Sequence, residues 1–271
     1  MPELPEVETT LQGISAHVLN SPVTQINIRN ARLRWPVPDE LAAQLLQQSI
    51  TDIKRRAKYL LFFTDKGTLI IHLGMSGSLR ITAPEAAYDK HDHVEFCFAN
   101  GKALRLKDPR RFGAVLWTTA PVEEHPLLNH LGPEPLSEDF NAGTLFKLSR
   151  KKTVAVKQFI MNSKVVVGIG NIYANEALFA SGIHPKRSAG KISKQRYEKL
   201  CIESKRILEE AISQGGTTLK DFVGGTGKPG YFKQELLVYG RKNQPCVQCQ
   251  KPLKEIRLGN RSTVYCTNCQ K

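Results

Sequence analysis

Between residues 5 and 19 the apolar positions Val7, Leu11, Ile14 and Val18 recur every three or four residues, which predicts an amphipathic helix. Beyond it the period changes. IKRRAKYLLFFT, GTLIIHLGM and SGSLRI read as short strands, with Asp65-Lys66-Gly67 as a turn. VEFCFA and KALRLK flank Asn100-Gly101, a strong hairpin signal because both residue types tolerate positive φ. AVLWTT follows. Strand upon strand over roughly 20–118 predicts an antiparallel sandwich or barrel.

From about residue 140 the pattern turns helical. Ser193 can cap a long helix that places Tyr197, Leu200, Cys201, Ile207, Leu208, Ala211 and Ile212 on one face and stops at Gly215-Gly216. ANEALFASG reads as a shorter helix ending at Gly182. In VVVGIGNIYANEAL two glycines precede that helix, and backbone amides at such a turn bind anions well. GIGN is too short for a dinucleotide fingerprint and follows no clear βαβ unit, so a nucleotide-binding doubly wound fold is rejected. Residues 215–231, rich in glycine, read as a loop, either a bare linker or an active-site lid.

Charge narrows the partner. With 39 Lys and Arg against 25 Asp and Glu, the 271-residue chain carries +14, which points to a polyanion. No apolar run approaches the ~18 residues of a spanning helix, so nucleic acid is favoured over a membrane. The polar N-terminus predicts a cytosolic protein without a signal peptide. Two basic zones stand out. Residues 140–175 contain no acid and hold Lys147, Arg150, Lys151, Lys152, Lys157 and Lys164. Residues 239–271 hold seven cations and one acid, Glu255. Zones of this kind suit a phosphate-tracking surface.

The cysteines refine this. Cys97 and Cys201 sit in apolar surroundings and read as small buried side chains. Cys246 and Cys249 form one CxxC, Cys266 and Cys269 another, with 16 residues between. That spacing matches four thiolates around one structural zinc, with room for a hairpin between the knuckles. A 35-residue tail cannot build a core alone, and the metal would supply what it lacks.

MPELPEVE places Pro2 behind the initiator methionine. Once Met1 is trimmed, Pro2 offers a free secondary α-amine that titrates near pH 8, roughly 2.5 units below a lysine. Some of it is therefore an uncharged nucleophile at neutral pH. A primary amine can lose a proton to give a neutral imine, but a secondary amine yields a lasting cationic iminium, which is an electron sink.

MPELPEVE, RRAKYL, HLGMSGSLR, KHDH at 90–93, DPRRFG at 108–113, GNIYANEAL and the CxxC pairs, in that order, resemble the bacterial formamidopyrimidine-DNA glycosylases from end to end. The resemblance implies an α+β multidomain chain. An N-terminal antiparallel β-sandwich catalytic domain would span 1–130, and a helical helix-two-turns-helix DNA-binding domain 131–236. A zinc-finger β-hairpin would fill 237–271. It implies excision of 8-oxoguanine and formamidopyrimidines from double-stranded DNA, followed by cleavage of the abasic strand, by an enzyme expected to be monomeric.

Residue by residue, the resemblance makes Pro2 the nucleophile and Glu3 the general acid. Lys58 and Arg261 become the remaining active-site cations. Met75, Arg110 and Phe112 would fill the gap left by the extruded nucleotide. His91, Arg110, Lys151 and Asn171 would contact DNA, and Lys157 with loop 217–230 would lie on the base side. The sister endonuclease VIII family, acting on oxidised pyrimidines, shares the proline start and the zinc hairpin. It typically opens MPEGPE, which differs from this chain. A non-catalytic zinc-dependent DNA-binding protein is the third reading.

Overall fold

The computed structural model describes residues 2–215 and 236–271, so the glycine-rich segment expected at 215–231 lies, but for Gly215, outside the described residues. The chain divides into two compact units, one built on 2–129 and the other on 130–213 with 236–271.

The first unit opens with helix α1 (Leu4–Val18). Glu3 starts it through a reciprocal cap: its N–H donates to Glu6 Oε2 at 2.8 Å, and its carboxylate accepts from the Glu6 amide. Pro5 sits in the first turn, where a missing N–H breaks no helical bond. Then come β1 (Val23–Ile28), a short α2 (Leu41–Leu45), β2 (Asp52–Arg56), β3 (Tyr59–Phe63) and β4 (Thr68–His72). β5 (Ser78–Thr82), β6 (Asp92–Phe98), β7 (Ala103–Lys107) and β8 (Ala114–Thr118) complete it.

These strands make two four-stranded antiparallel sheets, in the orders β1-β6-β7-β5 and β2-β3-β4-β8, as the strand pattern predicted. Leu60, Phe62, Ile71 and Val115 of one sheet share a core with Val94, Phe96, Leu104 and Leu106 of the other, and Val7, Ile14 and Val18 of α1 join them. Truncating one of these buried leucines to alanine costs about 2–5 kcal/mol. The hairpin at Asn100-Gly101 forms: Phe98 N–H donates to Lys102 O at 2.9 Å, and Gly101 takes φ +75°.

A second hairpin carries no such signal. Arg56 pairs with Tyr59, so Ala57 and Lys58 alone turn the chain between β2 and β3, with Ala57 at φ +55°. An alanine there costs on the order of 1 kcal/mol relative to glycine. Arg55 braces the turn, donating from Nη1 to Ala57 O at 3.0 Å and from Nε to Glu8 of α1 at 2.8 Å.

The second unit contains α3 (Ala142–Ser149), α4 (Val156–Ile160), α5 (Asn171–Ala180), α6 (Lys194–Ser213) and the hairpin β9 (Lys254–Leu258)–β10 (Arg261–Tyr265). Ser193 starts α6 as expected, its Oγ accepting from Arg196 N–H at 3.3 Å. The hairpin has no separate core. Its Leu253, Val264, Cys246 and Cys266 pack with Val238 and with Phe179 of α5. The chain end is pinned too: Lys271 N–H donates to Gly182 O at 3.0 Å and His184 N–H to Lys271 O at 3.1 Å. Burial pushes the Cys97 thiol up to about 11 and Cys201 up to about 12, so both are inert neutral side chains. No helix among the described residues is long and apolar enough to cross a membrane.

Candidate active site

In the first unit, Pro2 and Glu3 are buried at the head of α1, where Glu3 keeps 2% of its surface exposed and Glu6 none. The helix N-terminus favours carboxylates at this end. Glu8 is committed elsewhere, to Arg55.

Lys58 stands on the tight β2–β3 turn, half-buried, and not within a strand. His72 ends β4 and pairs with Tyr59, the residue after Lys58. Burial, with the Lys58 and Arg34 charges added, pulls the His72 ring down to about 4. Its Nδ1 accepts from Gly74 N–H at 3.0 Å, which leaves the proton of the neutral ring on Nε2. The result is a fixed neutral donor beside two cations.

Met75, Arg110 and Phe112 come together. Gly74 takes φ +62°, and a Cβ there would lie 2.3 Å from the Phe112 carbonyl carbon, so the 73–77 and 108–113 loops touch backbone to backbone. Arg110 N–H donates to Ser76 Oγ at 3.2 Å, and its guanidinium stacks 4.9 Å from the Phe112 ring centre. Phe112 itself is 42% exposed. His91 is joined to the same group through Asp108, whose N–H donates to His91 O at 3.0 Å.

In the second unit the centre is Lys157, only 1% exposed. Its Nζ donates to Asn171 Oδ1 at 2.6 Å, Thr263 Oγ1 at 2.7 Å and Ser262 O at 2.9 Å. These three acceptors tie the Lys157 ammonium to α5 and to the hairpin strand. Asn171, at the start of α5, is thereby tied to the strand that begins with Arg261. Gly259 and Asn260 both take positive φ, a type I′ turn that leaves Arg261 exposed at the hairpin tip. Asn175 adds a second tie, accepting from Val264 N–H at 2.9 Å and donating to Asn171 O at 2.6 Å. Glu176 accepts from the amides of Leu237, Val238 and Tyr239 at 2.7–3.0 Å, yet burial still raises its carboxyl. Lys151 lies on another loop, exposed just past α3.

The four knuckle cysteines converge. Their sulfurs all lie within 4.8 Å of one another, with Cys246–Cys269 at 3.9 Å and Cys249–Cys266 at 3.5 Å. Zinc with bonds of about 2.3 Å separates tetrahedral sulfurs by about 3.8 Å, so this donor set fits the ion. All four positions are protein ligands, which makes the site structural. Gln270, 1% exposed, fixes one knuckle to the helices by accepting from Cys266 N–H and donating to Ile183 O, both at 2.9 Å.

A family model described as the formamidopyrimidine-DNA glycosylase N-terminal domain matches residues 1–115. The H2TH domain of the same glycosylase matches 131–223, and a zinc finger found in FPG and IleRS matches 243–271. Curated formamidopyrimidine-DNA glycosylases from Marinobacter nauticus and Saccharophagus degradans are 57% and 58% identical over 271 residues, covering all of both chains. The chain belongs to the formamidopyrimidine-DNA glycosylase family.

Solved members of that family share the fold. The Thermus thermophilus Fpg protein superposes with a TM-score of 0.89 at 33% identity, covering 99% of this chain and 98% of its own. Wild-type Lactococcus lactis Fpg, bound to DNA containing N7-benzyl-Fapy-dG, reaches 0.91 at 33% identity over the whole of both chains. The same bacterium's Fpg bound to abasic-site DNA reaches 0.90 at 30% identity, covering 99% of each. In this glycosylase HLGMSGSLR, KHDH and DPRRFG thus meet in the paired loops of the first unit, and GNIYANEAL is tied through Lys157 to the strand of Arg261 in the second. Asn175, Glu176 and Asp108 were not singled out from the sequence. The one signal for the first two was a polar Asn-Glu pair inside a helix whose residues Ile172–Phe179 are all buried.

Proposed function

We infer that this chain is a base-excision repair enzyme, a DNA glycosylase with abasic-site lyase activity that removes 8-oxoguanine and formamidopyrimidines from duplex DNA. The observation that carries this is 57–58% identity over the full length to formamidopyrimidine-DNA glycosylases. The Lactococcus complex with Fapy-dG DNA supports the substrate class.

The roles follow from chemistry. The Pro2 amine attacks C1′ of the extruded nucleotide, and the base leaves with the glycosidic electron pair. Glu3 protonates the sugar ring oxygen and opens the ring. The cationic iminium acidifies the 2′ protons. Loss of one breaks the 3′ C–O bond, and a second elimination breaks the 5′ C–O bond. Lys58 serves the first elimination or holds its phosphate, and Arg261 serves the second. Met75 and Phe112 prop the stack, with Arg110 toward the orphaned cytosine, while His91, Lys151 and Asn171 hold phosphates. Cys246, Cys249, Cys266 and Cys269 hold one zinc, which supplies no chemistry to the reaction and sets the hairpin that bears Arg261. The functional segments are 1–130, 131–236 and 237–271, and the enzyme works as a monomer on DNA in the bacterial cytosol.

One observation favours a second substrate: a Lactococcus Fpg complex with oxidised-pyrimidine DNA is also similar, with a TM-score of 0.91 at 32% identity. Single-turnover release of 8-oxoguanine and of an oxidised thymine, each from matched duplexes, separates the readings. The purine should leave faster; faster release of the pyrimidine would overturn the assignment.

A further inference from the structure

Asp108 has no exposed surface, and among the described residues the hydrogen-bond donors to its carboxylate are neutral groups. Oδ1 accepts from Ser76 Oγ–H at 2.9 Å and Oδ2 from Gly113 N–H at 2.7 Å. Its backbone is equally committed. Its N–H donates to His91 O at 3.0 Å, and its carbonyl accepts from Arg111 N–H at 3.1 Å and from His93 Nε2 at 2.8 Å. Ser76 passes the link on, accepting from Arg110 N–H at 3.2 Å. One residue therefore fastens the loop bearing Met75, the loop bearing Arg110 and Phe112, and the segment bearing His91.

A buried carboxylate costs several kcal/mol unless hydrogen bonds replace its water, and many turn residues would close this loop without one. What a forked head group with two polar atoms does here is grip Ser76 and Gly113 at once, on two different loops. Gly113 has little slack, since a Cβ there would lie 2.8 Å from His72 O and 3.0 Å from Asp108 Oδ2.

We propose that Asp108 is the positioning residue that welds the Met75, His91 and Arg110–Phe112 segments into a single insertion element. This rests on the reading of Met75 and Phe112 as the groups that enter the DNA stack. An apolar pair can prop a base step only if both tips hold their spacing while the stack pushes back. Misplacement by about 1 Å costs on the order of 10²-fold in rate.

The test uses the full-length zinc-loaded protein and a duplex with 8-oxoguanine opposite cytosine and 2-aminopurine beside the lesion. Stopped-flow fluorescence reads stack opening, and cleavage of a preformed abasic site in single-stranded DNA reads the chemistry that needs no insertion. Asp108→Ala should lose the fluorescence burst and about 10²-fold in duplex excision, with single-strand cleavage within about twofold of wild type. Asp108→Asn should recover most of the loss, because its Oδ1 can accept from Gly113 while Nδ2 donates to Ser76 Oγ. Ser76→Ala, at a half-buried position, should lose part of the burst and stands in if Asp108→Ala does not fold.

Parallel loss of duplex excision and single-strand cleavage would reduce Asp108 to a fold-stabilising residue and overturn the proposal. So would an Asp108→Asn variant as impaired as Asp108→Ala, or an unchanged burst in Asp108→Ala or Ser76→Ala. Met75→Ala and Phe112→Ala separate the two levels. If neither changes the burst, the insertion reading itself fails; if both abolish it while Asp108→Ala keeps it, only the role of Asp108 fails.

Discussion

Replacing Lys157 with methionine probes the second unit most sharply, because the change removes a charge and keeps the stem. Three acceptors lose their donor: Asn171 Oδ1, Ser262 O and Thr263 Oγ1, now at 2.6–2.9 Å from Nζ. Thr263 can rotate its hydroxyl, but Asn171 Oδ1 and Ser262 O lose a charged donor, at about 1–3 kcal/mol each. Against this, the chain no longer has to desolvate an ammonium, a cost of several kcal/mol. The opposing effects nearly cancel. Net destabilisation should stay under about 2 kcal/mol, a Tm shift below about 8 °C. DNA binding should suffer more, because Asn171 and the strand starting at Arg261 lose their common anchor. Titration against an uncleavable abasic-analogue duplex should show Kd raised about tenfold, equivalent to about 1.4 kcal/mol. The slope of log K against log salt should fall by about 0.9 if displacing Arg261 removes one cation from the DNA backbone. Adding Asn171→Ala to Lys157→Met should cost less than it does in wild type, since the pair is coupled. Wild-type Kd and salt slope in Lys157→Met, or a stability loss beyond about 4 kcal/mol, would refute the reasoning.

Removing zinc should undo more than the hairpin. Cys246 and Cys266 belong to the cluster that includes Phe179 of α5, so chelation should lower Tm and abolish DNA binding together, with one zinc per chain measured in the intact protein. A metal-free protein that binds DNA normally would contradict this. His72 should stay neutral far below the ordinary histidine range. Its folded value is depressed to about 4, so its contribution to stability is full above about pH 6.5 and is lost as pH falls toward 4. That contribution is at most about 3 kcal/mol. Ring carbon shifts in an NMR titration should show no His72 protonation at pH 5.5, and a midpoint near 6.5 would sink the reading.

Much of the architecture was legible because it depends on local period and chemistry. Val7, Ile14 and Val18 follow the helix face that packs on the sheets, and CxxC spacing alone located the metal centre. The Ala57–Lys58 turn was not legible, since neither residue is a usual turn former and the bracing comes from Arg55 and Glu8, far apart in sequence. The basic zone at 140–175 also misled in part. Half-buried Arg150 donates to Phe146 O, Ser149 Oγ and Ile192 O, and Lys157 is buried, so two of its six cations are engaged in holding the fold. The acceptors described for both are neutral oxygens, a pairing that charge patterning along the sequence does not reveal. Asp108 hides for the same reason: its partners are a serine hydroxyl and a glycine amide.

The central claim is that a secondary amine at the head of α1 does the covalent chemistry. Borohydride trapping on a duplex with one 8-oxoguanine opposite cytosine tests it directly, with wild type beside Pro2→Gly. The account predicts a covalent protein–DNA band for the wild type that is weakened or lost in the variant. Strand cleavage by the wild type with no trapped band would contradict it and point to hydrolysis.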